Sequence, residues 1–286
     1  MKISTEIASA ARKIGEEKAI ELYAKAGFDA WDFSMFDMVE IDWKNAEALP
    51  SSHPLGGDDY AAFARRLKSV GLDNGIICNQ SHAPFPSKFK NMEKYLFRAL
   101  ECTSIAGGKI CIIHPDNNLT AEQNAEMYEK LLPFAKDCGV KIAVENMWNW
   151  NHDEDHACAA ACSHHYDFLK HLKALDDEYL VACLDIGHAE MRGLDTSAVE
   201  MIKTLGKKLQ ALHIHDNDKW HDQHLIPFSS KIEFAPIVEA LKEIGYSGYF
   251  TLEADSHLSS FDNENIYEGI KELYAVARKL ADAFES

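Results

Sequence analysis

The sequence has few basic residues and no long apolar run. Lys and Arg total 29 against 46 Asp and Glu, the formal net charge is −17, and only six residues are Arg. Because nucleic-acid binding draws most of its affinity from clustered Lys and Arg, this balance argues against a nucleic-acid partner. No stretch approaches the roughly 20 apolar residues that cross a bilayer, so we expect no membrane partner either.

The sequence also lacks an export signal and an even number of cysteines that could all pair in disulfides. The seven cysteines are odd in number, and segment 1–18 has no apolar signal core. We therefore expect reduced thiols and a cytoplasmic location. A Gly-rich G-x-G-x-x-G loop is absent as well, which disfavours a doubly wound sheet and predicts no nucleotide cofactor.

Eight short apolar runs alternate with amphipathic stretches along the chain. The runs are 2–8, 30–35, 74–83, 109–115, 141–147, 180–188, 209–216 and 249–255. Their richness in Ile, Val, Leu, Phe and Cys is typical of strands covered on both faces. No composition shift marks a boundary, so the pattern predicts an α/β fold with one domain over 1–286, a (β/α)8 TIM barrel.

Three of the intervening stretches carry helix-end signals. Residues 15–27 form an amphipathic pattern that ends in Gly27, a C-cap signal. The pattern over 57–71 ends in Gly71, and we expect the same type of C-cap there. Thr120 begins a T-A-E-Q capping box, which predicts a helix that reaches Lys136.

Acidic and histidine side chains end seven of the eight runs. They are Asp32, His82, His114, Glu145, Asp185 with His188, His213 with His215, and Glu253. Active sites of these barrels lie at the carboxyl ends of the strands, where buried ionisable groups are costly unless paired or bound to metal. A lone Asp32 could cap a turn and a lone His82 could be a core imidazole, but the whole set predicts a metal site.

The ligand types narrow the chemistry. Carboxylates with neutral histidine suit one divalent ion, Mn²⁺, Co²⁺, Mg²⁺ or Zn²⁺. No Lys ends a strand, which disfavours Schiff-base chemistry. His213 and His215 point to the same face of their strand, because side chains alternate. We expect one to bind metal and the other to contact substrate or a ligand, and His213 is favoured because it lies deeper.

Several motifs resemble a known group of proteins. They are VENMWNW (144–150), CLDIGHAEM (183–191), LHIHDND (212–218), DQH (222–224) with Pro227, and TLEAD (251–255). In this order they resemble the sugar phosphate isomerase/epimerase superfamily, also described as xylose isomerase-like TIM barrels or the family 2 apurinic endonuclease fold. The sequence departs from that group after DQH, where LIPFSSKIEF (225–234) replaces a Gly-rich segment.

The resemblance to ketohexose epimerases implies a ligand set and a reaction. One divalent ion would sit on Glu145, Asp185, His213 (or His215) and Glu253, and His188 would contact substrate oxygens. We hypothesise an isomerase or epimerase of a sugar, phosphorylated or not, derived from a ketose or polyol. Glu145 and Glu253 would remove a carbon-bound proton from one face and return it to the other. Further expected substrate contacts are His215, His82, His114 and Trp148.

Other activities stay open on the same residues. The resemblance includes endonuclease IV, a three-zinc enzyme acting on abasic DNA. Its fuller ligand pattern also finds matches here, at His82, His114, Glu145, Asp185, His188, His213, Asp222, His224 and Glu253, so that His188, Asp222 and His224 are possible additional metal ligands. An inosose dehydratase-like lyase needs the same parts. The net charge and the acidic segment 152–155 oppose a polyanion, which favours the sugar enzyme. A non-catalytic sugar or metal sensor is a further alternative, although paired glutamates have little use in passive binding.

The resemblance also bears on assembly. Members of this group are often dimers or tetramers, and exposed apolar side chains permit association. Candidate residues for such a contact are Trp43, Trp148 and Trp220. A homo-oligomer is therefore compatible with the sequence.

Overall fold

Eight parallel strands build the barrel, and two antiparallel hairpins lie in its connections. The computed structural model describes residues 1–286. Its strands are β1 (Ile3–Thr5), β2 (Ala30–Ser34), β3 (Val39–Asp42), β4 (Glu47–Pro50), β5 (Ile77–His82), β6 (Ile110–Ile112), β7 (Lys141–Glu145), β8 (Asn149–Asn151), β9 (His156–Cys158), β10 (Leu180–Asp185), β11 (Leu209–His213) and β12 (Phe250–Leu252). Pairs β3–β4 and β8–β9 are the antiparallel hairpins. The other eight strands form the barrel, and each of the eight predicted runs contains one of them.

Hydrogen bonds between neighbouring strands close the sheet on itself. Six strands pair in the order β2-β5-β6-β7-β10-β11, and β1 pairs with β12. The bridges Glu6–Asp32 and Ile214–Leu252 join these two groups, and the Ile214 amide donates to the Thr251 carbonyl at 2.9 Å. All barrel pairs are parallel. The predicted (β/α)8 TIM barrel is confirmed.

Ten helices accompany the strands. They are α1 (Ala8–Ile14), α2 (Glu16–Ala26), α3 (Tyr60–Asp73), α4 (Glu93–Ala106), α5 (Ala121–Cys138), α6 (His165–Lys173), α7 (Ile186–Ala189), α8 (Ala198–Leu205), α9 (Phe234–Glu243) and α10 (Ile266–Glu285). None of these helices combines the length and the apolar character that crossing a membrane requires.

Small apolar side chains fill the inside of the barrel beneath its mouth. This inner group is Ile112, Ala143, Val181, Cys183 and Ala211, and it is separate from a larger cluster of 69 buried residues contributed by strands and helices. Because side chains alternate along a strand, the residues two positions after Ala143, Cys183 and Ala211 face the same interior. The barrel therefore directs Glu145, Asp185 and His213 into its own mouth.

Two of the three helix-end predictions are confirmed. Helix α2 ends at Ala26, and Gly27 is left-handed with φ of 110° while its N–H returns to the last turn. Thr120 forms both hydrogen bonds of a capping box, and α5 continues to Cys138. The C-cap predicted at Gly71 is wrong, because α3 runs through this residue to Asp73. A Cβ at Gly71 would lie 2.8 Å from the Ile76 carbonyl oxygen, so close backbone packing requires the glycine.

Because of this packing, a substitution of Gly71 that usually stabilises a helix should destabilise this protein. Gly to Ala inside an exposed helix ordinarily adds up to about 1 kcal/mol of stability. We expect Gly71→Ala to lower the free energy of unfolding by about 1–3 kcal/mol instead, because the new methyl group meets fixed backbone. Urea unfolding measures the effect. Gly57→Ala is the control, since a Cβ there meets no atom within 4 Å. A gain in stability for Gly71→Ala would contradict this account.

Candidate metal centre

Four sequence-predicted ligands meet at the barrel mouth. Glu145, Asp185 and His213 end β7, β10 and β11, and Glu253 directly follows β12. One ligand atom from each of them lies within 4.8 Å of those of the others. We call these four residues the central cluster. Parallel strands place their carboxyl ends at one edge, which is why residues distant in sequence converge here.

His213 is the histidine that joins the two glutamates of the central cluster. Its Nδ1 lies 3.1 Å from Glu145 Oε1 and 3.1 Å from Glu253 Oε2. Its Nε2 lies 3.4 Å from Asp32 Oδ2, which also accepts a hydrogen bond from Gln80 at 2.8 Å. His215 is not part of this cluster. Of the two candidate histidines, the structure brings His213 to the glutamates.

Burial and opposite charge set the proton affinities in the central cluster. Burial raises the pKa of Glu145, but the charge of His213 and the hydrogen bonds of His114 and His213 outweigh it and hold this pKa well below its usual range. Burial, together with the charge of Glu145, raises the pKa of Glu253 well above its usual range. Burial lowers the pKa of His213, but Cys183, Glu253 and Glu145 outweigh it and raise this pKa. Without a cation, protons held by His213 and Glu253 therefore reduce the negative charge of the central cluster.

A second group of ligand-type side chains borders the first. His188, His215, Asp222 and His224 also bring ligand atoms within 4.8 Å of one another, and we call them the outer cluster. Asp222 lies 3.3 Å from His188 Nε2 and 3.2 Å from His224 Nε2. Burial opposes the charge on His188, but Asp185 and Asp222 raise the pKa of His188 to about 10. The additional ligands that the resemblance to endonuclease IV implies, His188, Asp222 and His224, thus come together.

A third group shares Glu145 with the central cluster. His82, His114 and Glu145 bring ligand atoms within the same limit, and we call them the third cluster. His114 Nε2 lies 2.9 Å from His82 Nε2 and 3.1 Å from Glu145 Oε2. Burial is the main cause that lowers the pKa of His114 to about 4. His114 is therefore a neutral imidazole, the form that can ligate a cation.

The donor set fits a divalent cation. Asp185 Oδ2 is buried without a hydrogen-bond donor, whereas Asp222 Oδ1 lies 3.2 Å from His224 Nε2. A buried carboxylate oxygen without a partner is costly, and a cation removes that cost. Carboxylate oxygen with imidazole nitrogen suits Mn²⁺, Co²⁺ or Zn²⁺. Cys183 also approaches Glu145 and His213, but burial raises the pKa of this thiol well above its usual range and opposes a thiolate ligand.

A cavity of about 370 Å³ opens above the clusters. Its wall contains ligand-type residues from all three clusters, and Phe36, Phe85, Met147 and Trp148 add apolar surface. The remaining lining residues are His82, His114, Asn117, Glu145, His188, Asp222, His224, Glu253 and Asp255. Of the predicted substrate contacts, His82, His114, His188 and Trp148 reach the wall. His215 is fully buried and does not.

The hairpin β8–β9 shapes one side of this mouth. Trp148 directly precedes the hairpin, and Trp150 lies within its first strand. Trp150 stacks on His221 with ring centroids 5.6 Å apart, and Trp148 lies edge-on to His188 at 6.4 Å. Of the apolar residues considered for oligomer contacts, Trp43 is 69% exposed. Trp148 instead lines the cavity, and Trp220 packs under Arg192 at 4.5 Å.

Sequence reasoning missed two buried residues beside the site. Asn146 joins the ends of β7 and β10, since its Nδ2 donates to the Asp185 carbonyl and its Oδ1 accepts from the Asp185 amide. Glu6 directly follows β1 and is 5% exposed. Its side chain accepts hydrogen bonds from the amide and the hydroxyl of Ser9. The first predicted run extends to Ala8, whereas β1 ends at Thr5. Glu6 was therefore placed inside the run and was not recognised as a carboxylate at a strand end.

Comparison with known proteins agrees with the barrel fold. A family model described as xylose isomerase-like TIM barrel matches residues 20–276. The chain belongs to this family. Protein MJ1311 of Methanocaldococcus jannaschii is 28% identical over 210 residues, and the match spans 66% of this chain and 66% of that protein.

Two solved structures illustrate the fold of this family. D-psicose 3-epimerase from Clostridium cellulolyticum H10, determined with D-tagatose, is 18% identical, covers 98% of this chain and 99% of its own, and has a TM-score of 0.70. The IOLI protein, with a bound zinc atom, is 16% identical, covers 100% of this chain and 98% of its own, and has a TM-score of 0.69. At these identities, both similarities show that the chain shares the fold of the two proteins.

The buried Glu6 predicts a pH-dependent stability. Burial and the charge of Asp255 raise the pKa of Glu6 from 4.5 to about 7. The native state therefore holds a proton that the unfolded chain releases, and the stability from this proton is lost as pH rises from 4.5 through 7. We expect Glu6→Gln to gain about 2 kcal/mol in free energy of unfolding over wild type at pH 8 relative to pH 5. An equal difference at both pH values in urea titrations would contradict the buried charge.

Proposed function

We propose that this chain is a divalent-metal-dependent isomerase or epimerase of a sugar, a ketose or polyol derivative. One observation carries the proposal. Glu145 and Glu253 both reach the wall of one cavity, and both approach the same nitrogen of His213 at 3.1 Å. Two carboxylates converging on one reaction space can exchange a proton with both faces of a substrate carbon. The likeness to an epimerase determined with D-tagatose supports the substrate class.

The residues divide the work of proton transfer. One glutamate removes the proton from a carbon beside a carbonyl, and the other glutamate returns a proton to the opposite face, which inverts that carbon. Both carboxyl groups then exchange their protons with water, and the enzyme is regenerated. His188 at the cavity wall donates a hydrogen bond to substrate oxygens, while the aromatic wall at Phe85 and Trp148 excludes water from the carbon.

The central cluster is the proposed holder of the cation. Glu145, Asp185, His213 and Glu253 supply its ligands, and the unpartnered Asp185 oxygen supports this assignment. When bound, a divalent ion supplies Lewis-acid polarisation of a substrate carbonyl or hydroxyl oxygen. The likeness to a protein with bound zinc is consistent with this role. We propose one cation and leave Mn²⁺, Co²⁺, Mg²⁺ and Zn²⁺ as its candidates.

The cavity wall favours a substrate without a phosphate group. Its charged residues are carboxylates and histidines, and neither Lys nor Arg lines it. Phosphate recognition in proteins commonly uses Arg, Lys or a helix N-terminus. Asp222 and Asp255 at the rim would repel a second anion. An unphosphorylated sugar is therefore the preferred class.

Solvent exchange tests the paired glutamates. Wild-type protein supplied with Mn²⁺ is incubated in deuterated water with a panel of free ketoses and inososes, and products are examined by NMR and mass spectrometry. We expect one deuteron at the inverted carbon of the true substrate. Glu253→Gln should lower turnover by about 10²–10⁴-fold, because a general acid–base group is lost.

A matched substitution and the product mass complete this test. Glu243→Gln is the control, since that glutamate pairs with Lys203 at 2.8 Å on the outer helix α9. Full turnover by Glu253→Gln would overturn the paired-glutamate mechanism. A product lighter by one water molecule would assign the site to an inosose dehydratase-like lyase, which uses the same residues.

A second candidate function follows from the adjacency of the three clusters. Glu145 belongs to both the central and the third cluster, and His215 of the outer cluster lies 3.0 Å from Asp185 of the central cluster. Several cations held together could bind and cleave a phosphodiester. This arrangement favours an endonuclease IV-like activity, but the net charge of −17 opposes the approach of DNA.

Abasic duplex DNA distinguishes the two candidates. We expect neither binding nor cleavage of such a duplex at low salt by protein supplied with Zn²⁺. Cleavage that falls steeply as salt increases, and that is lost in Asp222→Asn, would instead establish the phosphodiesterase.

A further inference from the structure

We propose that His215 is a positioning residue for the metal ligand Asp185. Its ring Nε2 donates a hydrogen bond to Asp185 Oδ1, which leaves Oδ2 as the ligand oxygen. This inference rests on the proposed metal-dependent function and adds to it. It assigns separate roles to the two histidines of the H-I-H segment, with His213 as ligand and His215 as the residue that orients a ligand.

The Asp185 carboxylate is held at one oxygen and open at the other. Oδ1 accepts hydrogen bonds from the His188 amide at 2.7 Å and from His215 Nε2 at 3.0 Å. An ionised carboxylate only accepts, so the imidazole nitrogen is the donor. Oδ2 is buried and has no donor. Two bonds on one oxygen therefore fix the direction of the unpartnered one.

The imidazole of His215 has a defined place in the structure. The residue is fully buried, and its ring lies parallel to that of His224 with centroids 3.9 Å apart and an interplanar angle of 10°. A Cβ at Gly187 would lie 1.9 Å from His215 Cε1. The ring thus occupies space that only a glycine at position 187 leaves free. Such confinement is what an orienting group requires.

His215 is closer to Asp185 than to the carboxylate of the outer cluster. Its Nε2 lies 3.0 Å from Asp185 Oδ1 but 3.6 Å from Asp222 Oδ1. The first distance is a hydrogen bond and the second is not. Although His215 belongs to the outer cluster, its N–H donates to Asp185 of the central cluster. Residues that orient a metal ligand typically contribute about 10–100-fold to metal affinity.

Two amide substitutions that differ only in reach test the proposal. Gln places its side-chain NH₂ near the position of an imidazole Nε2, whereas the Asn NH₂ is one methylene short. Mn²⁺ is titrated into metal-free protein, and free Mn²⁺ is measured by electron paramagnetic resonance. We expect His215→Asn to weaken Mn²⁺ binding by about 10–100-fold. His215→Gln should restore the affinity to within about threefold of wild type, which a merely space-filling role would not require.

A substitution that leaves His215 intact provides an independent arm. Gly187→Ala displaces the ring, so we expect it to weaken Mn²⁺ binding as His215→Asn does. Gly57→Ala is the control for adding a methyl group. His171→Asn is the control for losing a buried histidine, because His171 pairs with Asp167 at 3.3 Å on helix α6. Both controls should bind Mn²⁺ with wild-type affinity.

The outcomes separate this proposal from the one on which it rests. Tight Mn²⁺ binding by wild type with unchanged affinity in His215→Asn would overturn the positioning role alone. Loss of one binding site at unchanged affinity of the remaining site would also overturn it, because His215 would then be a ligand of the outer cluster. Failure of wild type to bind Mn²⁺ would overturn the metal-dependent function together with this inference.

Discussion

Buried carboxylates at the barrel mouth need positive charge close to them, and the arrangement of the site follows from that need. Glu145 and Asp185 are almost fully buried, and Glu253 is nearly so. Leaving such groups unpaired would cost several kcal/mol each. In the chain by itself, His213 lies between the two glutamates and balances the charge of Glu145, while Glu253 holds its own proton. The cation that we propose would pair with the same carboxylates and with the unpartnered oxygen of Asp185.

The fold meets this need with two rows of residues. The alternation of strands places Glu145, Asp185 and His213 directly above Ala143, Cys183 and Ala211, whose small side chains fill the interior below. Around the ligands runs a second row of hydrogen-bonding groups that orient them. Asp32 approaches His213, Asn146 holds the backbone of Asp185, and His215 donates to the Asp185 carboxylate. In metal sites, such a second row of residues typically contributes about 10–100-fold to metal affinity or activity.

Much of the barrel, and the convergence of ionisable side chains at its mouth, could be predicted from the sequence, because both depend on patterns local to each strand. Apolar runs predict strands, and parallel strands bring their carboxyl ends to one mouth, so Glu145 and Glu253 could be paired across 108 positions. The role of Gly71 could not be predicted, because a helix-ending glycine and a close-packed glycine look alike until Ile76 is placed. The different surroundings of His213 and His215 could not be predicted either, since both side chains point to the same face of their strand. That Gly187 packs against His215 becomes visible only in the folded structure.

The central claim is that the mouth of this barrel binds a divalent cation, and counting metal per chain tests it most directly. Elemental analysis of the purified, gently dialysed protein, repeated after add-back of each candidate ion, gives that number. The account predicts about one Mn, Co, Mg or Zn per chain, and loss of that metal in Asp185→Asn. About three Zn per chain would contradict the single-cation sugar site and favour the phosphodiesterase. No bound metal after add-back to folded protein would contradict the account as a whole.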